Sequence, residues 1–531
     1  MEQKLNCQCY QRYNFLAILV VCFASGISLW QGFYSIDPHH WGLMLSNTKD
    51  LLNGLAPYRD ISINYGILTP IIQGTLFKLT TQSLISIQVA TVACYATGLW
   101  VLFRLTFSLT QDSKLSFYVL CSCVFIHPVV IYPWPNYIAF PFLMGGVFYA
   151  VKNNPTKIEC LISGALFALA ALARVEYLIV AIAIFFIIPS IDLFAKRTTW
   201  FISAAQLFFS LSGFLLPLSI FGIYLSANNL VGYWFGLAWT LPFDATPKLF
   251  QHMSGFNVFN TFFKSAVLGF TQLNLRLIVI YLMILINIIF CLMYFFKRSS
   301  LSSQVSLVKI SIVSLLCLGQ ALHITEIFRV ATGSIIGLIV VYVLLKKVKI
   351  DQIFFVLTSI VFIFILPPTT ADSGNYFAPS KQTISTAEMV HEPAIFKYQL
   401  WPEPVAHYYT QVSNDMASIK NLNCGVKYHF NYSIDVFLHV ISPFKKYQVL
   451  PFDQPLMYPA FKTIRPDFLP IEEKQKDLDV IIMRLFPNEE VESFVTPAGY
   501  FIYKKYLTPH MAFIPVDHTL ILMAPDTCLV K

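Results

Sequence analysis

The chain has 531 residues, of which 56% are hydrophobic and only 12% charged, with a mean hydropathy of +0.63. Soluble domains carry roughly a quarter charged residues, so this balance excludes an ordinary soluble globular protein. The formal net charge of +8 does not point to nucleic acid either, because the basic residues sit in small clusters at the ends of apolar runs.

Apolar runs long enough to cross a hydrocarbon layer of ~30 Å recur through the first two-thirds of the chain. The first expected span runs from about Phe15 to Tyr34. It is longer than the ~7–15-residue apolar core of a secretory leader and continues past "ASG", so it reads as a retained helix. The polar stretch "SIDPHHWGLMLSNTKDLLNGLAPYRDISINYG" follows, from Ser35 to Gly66, with Asp37, His39, His40, Asp50, Arg59 and Asp60. Within it Trp41, Met44, Leu45, Thr48, Leu51, Leu52 and Leu55 share one helical face, opposite Asn47, Lys49, Asp50 and Asn53. That pattern predicts an amphipathic helix lying along the membrane surface, ended by Gly54 and Pro57. Asp37-Pro38 suits its start, since Asp is a favoured N-cap and Pro a favoured first helical residue. His39 and His40 could be interfacial side chains, could contact a phosphate, or could help Asp37 hold a divalent cation; three residues without further ligands do not define a metal centre.

"ILTPIIQGTLFKL" is an apolar helix too short to cross alone. Further spans are expected at about 84–107, 115–131, 138–151, 158–173, 177–194, 200–225, 275–296, 305–322, 330–345 and 353–366, with a long loop between about 226 and 273. The aromatics of "HPVVIYPWPNY" and "LVGYWFGLAWTLPFDATPKLF" fit interfacial anchoring. With the N-terminus cytoplasmic, one side collects Lys4, Arg12, Arg104, Lys114, Lys152, Lys157, Lys196, Arg197, Lys297, Arg298, Lys309, Lys346, Lys347 and Lys349. The short connections on the other side keep few basic residues, mainly Arg59, Lys78, Arg174 and Arg329. The positive-inside rule then gives about eleven spans, a cytoplasmic N-terminus and an external C-terminal region. Asp37, both histidines, Arg59, Asp60, His127, Asn136, Arg174, Glu176, His323, Glu326 and Arg329 all fall at the outer ends. Ionisable groups at membrane depth are costly and mark sites, so the outer face is the active one. Ion pairing would equally explain Arg174 with Glu176 and Arg329 with Glu326.

Residues 367–531 turn polar and predict an extracytoplasmic α/β domain. "EPVAHYYTQVSNDMASIK" has helical spacing, and "DVIIMRL", "GYFIYKKY" and "TLILMA" read as strands. Cys424 and Cys528 lie in this region, where a disulfide is possible if it is exported.

A first span, an acidic residue at its outer end, an amphipathic helix and then "PYRDISINYGILTP" resemble the GT-C glycosyltransferases, polytopic enzymes that use polyprenyl-phosphate-linked sugars. The branch is the bacterial one similar to protein mannosyltransferases and to the lipid A aminoarabinose transferase. The resemblance covers about Phe15 to Leu366, within a membrane domain of residues 1–366, and is sharpest between Asp37 and Pro70 in the first outer loop, 35–83. It implies an all-α GT-C-like membrane domain in the cytoplasmic (inner) membrane, a polyprenyl-phosphate sugar donor, and a cell-envelope glycan, lipid or protein as acceptor. It implies Asp37 as general base and a site-shaping role for Pro57, Tyr58, Arg59, Asp60, Tyr65 and Gly66, with Asp60 the possible second acid. The usual Asp-Glu pair is absent here, where Pro38 and two histidines follow Asp37. Such a transfer needs a base for the acceptor hydroxyl and cations for the leaving phosphate, which nominates Arg174, Arg329 and Arg59, beside His39, His40, Tyr58, Tyr65, Glu176 and His323 as substrate contacts. A transporter or flippase, or a non-catalytic assembly protein, would be the alternatives.

Overall fold

The structure is a computed structural model that describes residues 2–35, 37–38, 40–63, 65–127, 131–245, 267, 271, 275–296, 304–321, 327–365, 385–421, 428–432 and 435–446, with strands at 480–485, 500–502, 510–511 and 519–525. The helices are α1 Glu2–Tyr34, α2 His40–Leu52, α3 Leu68–Leu79, α4 Leu84–Thr110, α5 Ser113–Ile126, α6 Pro135–Ala150, α7 Lys157–Ala173, α8 Tyr177–Phe194 and α9 Trp200–Ala227. They continue as α10 Val231–Phe235, α11 Leu275–Phe296, α12 Val305–Cys317, α13 Ile327–Ser334, α14 Leu338–Lys347 and α15 Asp351–Ile365. Every expected span overlaps a helix, although that at 115–131 is helical only to Ile126 and that at 330–345 joins α13, a 3-10 turn and α14. A π-helical stretch, Gly236–Ala245, occupies part of what the sequence suggested was loop.

Among the described residues six helices are long and apolar enough to cross a membrane, and shorter apolar helices lie between them. The chain is a multi-pass membrane protein. At about 1.5 Å per residue the 14-residue α5 covers only ~21 Å, yet its core face is buried against neighbouring helices, so its ends need not meet lipid. Helix starts follow ordinary capping chemistry. Asp112 takes the Leu115 N–H at 3.0 Å to open α5, and Thr156 and Glu159 cap α7 reciprocally. Helices α7 and α9 cross at Gly164 and Gly213, where an added Cβ would overlap the facing backbone carbonyls. Small residues let these backbones touch, which is how helices associate where lipid removes the hydrophobic drive.

The C-terminal part begins with an antiparallel ribbon, β1 Ala387–Met389 and β2 Leu400–Pro402, followed by α16 Glu403–Asn421. A mixed sheet has the order β4-β3-β5-β8-β6 with β7 beside β8, where the strands are β3 Tyr428–Tyr432, β4 Lys445–Lys446, β5 Val480–Leu485, β6 Tyr500–Ile502, β7 His510–Met511 and β8 Thr519–Pro525. The expected helix and three expected strands are all present. The domain boundary at 366/367 and both Cys424 and Cys528 lie outside the described residues.

This part docks on the first loop of the membrane domain. The Trp401 indole donates to Ser35 O at 3.0 Å, Val436 N to Pro38 O at 3.1 Å, and Lys49 Nζ to Val440 O at 2.7 Å. Helix α17, Phe437–Ile441, lies directly on α2 at Gly42. Behind the contact Phe396, Trp401, Tyr409 and Phe437 pack ring to ring. The predicted amphipathic helix α2 is therefore covered on its polar side by protein, and Asn47 and Asp50 are buried.

Candidate functional site

Asp37 is 8% exposed and starts α2 as the sequence suggests, its Oδ1 accepting the His40 backbone N–H at 3.0 Å. Its Oδ2 meets His40 Nδ1 at 2.8 Å. The His40 ring stands edge-on to Trp134, with centroids 4.7 Å apart, and to Tyr132 at 5.9 Å. His39 lies outside the described residues, as do His323 and Glu326. No group of three His, Cys, Asp or Glu side chains able to hold a metal ion occurs among the described residues.

The segment carrying Tyr132 and Trp134 is fixed by two glutamines on apolar helices. Gln73 Nε2 on α3 donates to Pro133 O at 3.1 Å, and Gln88 Nε2 on α4 donates to Ile131 O. Interfacial anchoring was the sequence expectation for these aromatics, but Tyr132, Trp134 and Tyr137 are buried. They form an inner wall, because satisfied backbone carbonyls allow an irregular segment to enter the bundle.

From the wall, contacts lead to Arg174. Tyr65 packs edge-on to Trp134 at 4.8 Å, and the Arg174 guanidinium lies 5.7 Å from the Tyr65 ring centroid. Gly66 lets this happen, since a Cβ there would overlap the Leu172 carbonyl, while Val175 N donates to Tyr65 O at 3.0 Å and Thr69 Oγ1 to Ala173 O at 3.0 Å. The "YG" pair thus joins the first loop to the C-terminal end of α7. Arg174 is fully buried, and its terminal nitrogens are engaged by Asn136 Oδ1, Glu176 Oε1 at 2.9 Å and Gln320 O at 3.1 Å. Gln320 in turn accepts from Asn136 Nδ2 at 3.0 Å and Tyr177 OH at 2.6 Å, and donates to Arg329 O at 3.1 Å. The Arg174–Glu176 pair foreseen as a structural alternative is present, inside a larger network that also holds the Arg329 backbone in place.

Tyr58, Arg59 and Asp60 form a separate turn. Tyr58 is buried with φ of 67°, a left-handed conformation that few aromatic residues adopt. Burial pushes its phenol well above the ordinary range. Asp60 accepts the Ala56 N–H at 3.0 Å and a bidentate grip from Arg59 at 2.9 Å to each oxygen. Arg59 itself is 47% exposed in its side chain. Asp60 thereby closes its own loop.

Two features escaped the sequence reading. Arg276, in the first turn of α11, is 1% exposed. Its Nε donates to Ile126 O at 2.6 Å, while among the described residues both terminal nitrogens lack a hydrogen-bond partner. Its electrostatic neighbours are Tyr95, Tyr137 and His127; His127 Nδ1 is bound to Tyr95 OH at 2.7 Å, and the Tyr137 hydroxyl also lacks a partner. Tyr137 lies 6.0 Å from Tyr132, so the same wall separates this guanidinium from His40. A lone arginine at the start of a long apolar run was the available signal. The second feature is Asp435 beside α17, which accepts from Tyr409 OH at 3.0 Å and Phe437 N at 3.1 Å. Burial pushes its carboxyl up to about 7, against the opposing effect of those donors.

No protein-family model matches the sequence, and no curated protein matches it. Among solved structures, ArnT from Cupriavidus metallidurans bound to undecaprenyl phosphate has a TM-score of 0.51 and 9% identity, over 95% of this chain and 97% of that one. The same protein in the apo state gives a TM-score of 0.47 and 8% identity over the same shares. The first likeness bears out the expected fold, that of a polytopic, mainly helical membrane protein. It extends beyond residue 366, so the C-terminal part resembles that structure as well.

Proposed function

We propose that this chain is an integral membrane glycosyltransferase that moves a sugar from a polyprenyl-phosphate carrier to an acceptor hydroxyl, with inversion at the transferred sugar. One observation carries the reading. The buried Asp37 carboxylate with its part-exposed partner His40, and the buried, incompletely partnered Arg276, stand on either side of one aromatic wall, at the end of the bundle where the C-terminal domain docks.

The chemistry suits those groups. The acceptor hydroxyl loses its proton as its oxygen attacks the anomeric carbon, and the bond from that carbon to the phosphate oxygen breaks with its electron pair leaving on the phosphate. A carboxylate–imidazole pair serves the proton, and a guanidinium serves the phosphate, because its planar fork matches two phosphate oxygens. Burying a cation without partners is costly, which supports an anionic occupant for the Arg276 pocket. Arg174 is already engaged by protein groups, so to the phosphate-binding candidates Arg174, Arg329 and Arg59 nominated by the sequence we add Arg276 and give it the role. The undecaprenyl phosphate bound in the ArnT structure supports the same class of carrier. The asymmetry of lysine and arginine supports a cytoplasmic N-terminus and an external site in the cytoplasmic membrane. The acceptor would be a glycan, lipid or protein of the cell envelope.

The test is sugar transfer by Asp37→Asn against wild type, at matched protein level in membranes. Asn caps a helix about as well as Asp, so the fold should hold. Transfer should fall by about 10²–10⁴-fold. Undiminished transfer would remove Asp37 from the chemistry and, with it, this reading of the first loop.

A further inference from the structure

The contact between Asp37 and His40 carries more than a helix cap. Asp37 presents one oxygen to the His40 backbone N–H and the other to its ring, at 3.0 and 2.8 Å. With the carboxylate ionised and the ring neutral, this contact requires the hydrogen on Nδ1 and leaves Nε2 as the basic nitrogen. The two groups also differ in access. The Asp37 side chain is 10% exposed and turned into the first turn of α2, whereas the His40 side chain keeps 25% of its surface. Trp134 and Tyr132 hold the imidazole edge-on and limit its rotation.

We propose that His40, through Nε2, is the group that takes the proton of the acceptor hydroxyl, and that Asp37 is the positioning residue that sets its tautomer and balances its charge. This rests on the transferase reading above and names the atom that does the work. In the step, the hydroxyl proton passes to Nε2 as the new carbon–oxygen bond forms. The electron pair of the broken bond goes to the phosphate, leaving polyprenyl phosphate. The resulting imidazolium sits against the Asp37 carboxylate until it gives its proton to water. The base is then an imidazole three residues beyond the acid. That arrangement gives the pair the orientation logic of other carboxylate–imidazole pairs, in which the acid orients and the ring exchanges the proton.

The test uses the full chain purified into lipid nanodiscs. Radiolabelled undecaprenyl-phosphate-linked hexoses and pentoses serve as donors, with a cell-envelope extract as acceptor and free undecaprenyl phosphate as the readout. His40→Ala should release it about 10²–10⁴-fold more slowly than wild type, and added imidazole should restore part of the rate. His40→Gln, checked for folding by its melting temperature, should be equally slow. In nitrogen-15 spectra the wild-type signal lost in His40→Gln should be that of an Nδ1–H tautomer, and Asp37→Asn should shift it. Wild-type turnover that survives in His40→Gln would overturn this inference and leave the transferase reading intact, with Asp37 acting directly. An Nε2–H tautomer in the wild type would overturn it too. A wild-type chain that releases nothing from any donor would sink the transferase reading and this step together.

Discussion

Two of the fully buried arginines in this bundle, Arg174 and Arg276, are chemically identical and differently situated. Arg174 is held by Asn136, Glu176 and the Gln320 carbonyl, inside a network that also ties in Tyr177, Thr332 and the backbone of Arg329. Arg276 has one hydrogen bond, from Nε to Ile126 O, and its two terminal nitrogens meet no acceptor among the described residues. A buried cation whose two terminal nitrogens are both engaged, as in Arg174, whose Nε alone lacks a partner, fixes helices relative to each other. One whose terminal nitrogens meet no acceptor among the described residues carries a cost in stability, and supports the anion-binding role proposed for Arg276. Burial alone cannot separate these cases; the hydrogen-bond inventory does.

The largest effect is expected where that contrast is attacked directly. Arg174→Met leaves Glu176, Asn136 and Gln320 without their cation and should destabilise the chain by about 3–5 kcal/mol. Arg276→Met breaks a single hydrogen bond and removes an unpaired charge, so thermal stability without ligand should hold or rise, since apolar replacement of a buried charge is often neutral or stabilising. The stabilisation of wild type by added undecaprenyl phosphate should vanish in Arg276→Met. Melting curves of both variants, with and without that lipid, check the comparison. Equal destabilisation by the two substitutions would mean that Arg276 is structural as well.

Asp435 tests the same distinction with the opposite charge, at the seam between the two parts of the chain. Its carboxyl, raised by burial to about 7, binds a proton in the folded state at pH values where the unfolded chain has already lost it. Between the ordinary carboxylate range and about 7 the folded state therefore holds more protons, so stability falls as pH rises and the full cost is present above about 7. The cost is on the order of 2–4 kcal/mol. Limited proteolysis of the segment 385–446 should be faster at pH 8 than at pH 5.5, and Asp435→Asn should abolish the difference. Pairing of Val436 N with Pro38 O puts this carboxyl one residue from a backbone contact to the loop of Asp37, and Tyr409, which binds it, has Asp37 as an electrostatic neighbour.

Much of this architecture was legible because it is written locally. Each span is an apolar run with basic residues at one end, and the cap at Asp37, the turn at Arg59–Asp60 and the pair Tyr65–Gly66 depend on residues close in sequence. The partner for Gly66, at Leu172, could not be read, because a missing Cβ says only that something comes near. Arg276 was missed for a deeper reason. Its distinction lies in terminal nitrogens that meet no acceptor among the described residues, and no spacing pattern records that. Trp134 was mistaken for an interfacial anchor because aromatics beside prolines look alike at a membrane surface and in a wall whose carbonyls are satisfied by distant glutamines. The strand order of the C-terminal sheet, with β5 between β3 and β8, depends on pairings that strand propensity does not specify.

The two glycine seams of the first loop give the smallest and sharpest test. At Gly66 an added methyl overlaps the Leu172 carbonyl and crowds that of Ala173, which are backbone atoms in the last turn of α7 and cannot swing aside. At Gly42 it would meet Val436 Cβ at 2.9 Å and Phe437 N at 3.0 Å, on a five-residue helix at the edge of the docked domain. The first neighbour belongs to a helix packed along its length, while the second can shift by a few tenths of an ångström. Overpacking costs typically ~1–3 kcal/mol, so Gly66→Ala should fall at or above the upper end and Gly42→Ala near ~1 kcal/mol. The functional signatures should differ in kind. Gly66→Ala moves Tyr65 away from Trp134 and Arg174, and so should lower transfer together with stability. Gly42→Ala should chiefly speed proteolysis of the segment 385–446. A loss of transfer in Gly42→Ala as large as that in Gly66→Ala would show that the seated C-terminal domain, and not the helix network alone, holds the Asp37–His40 pair in working order.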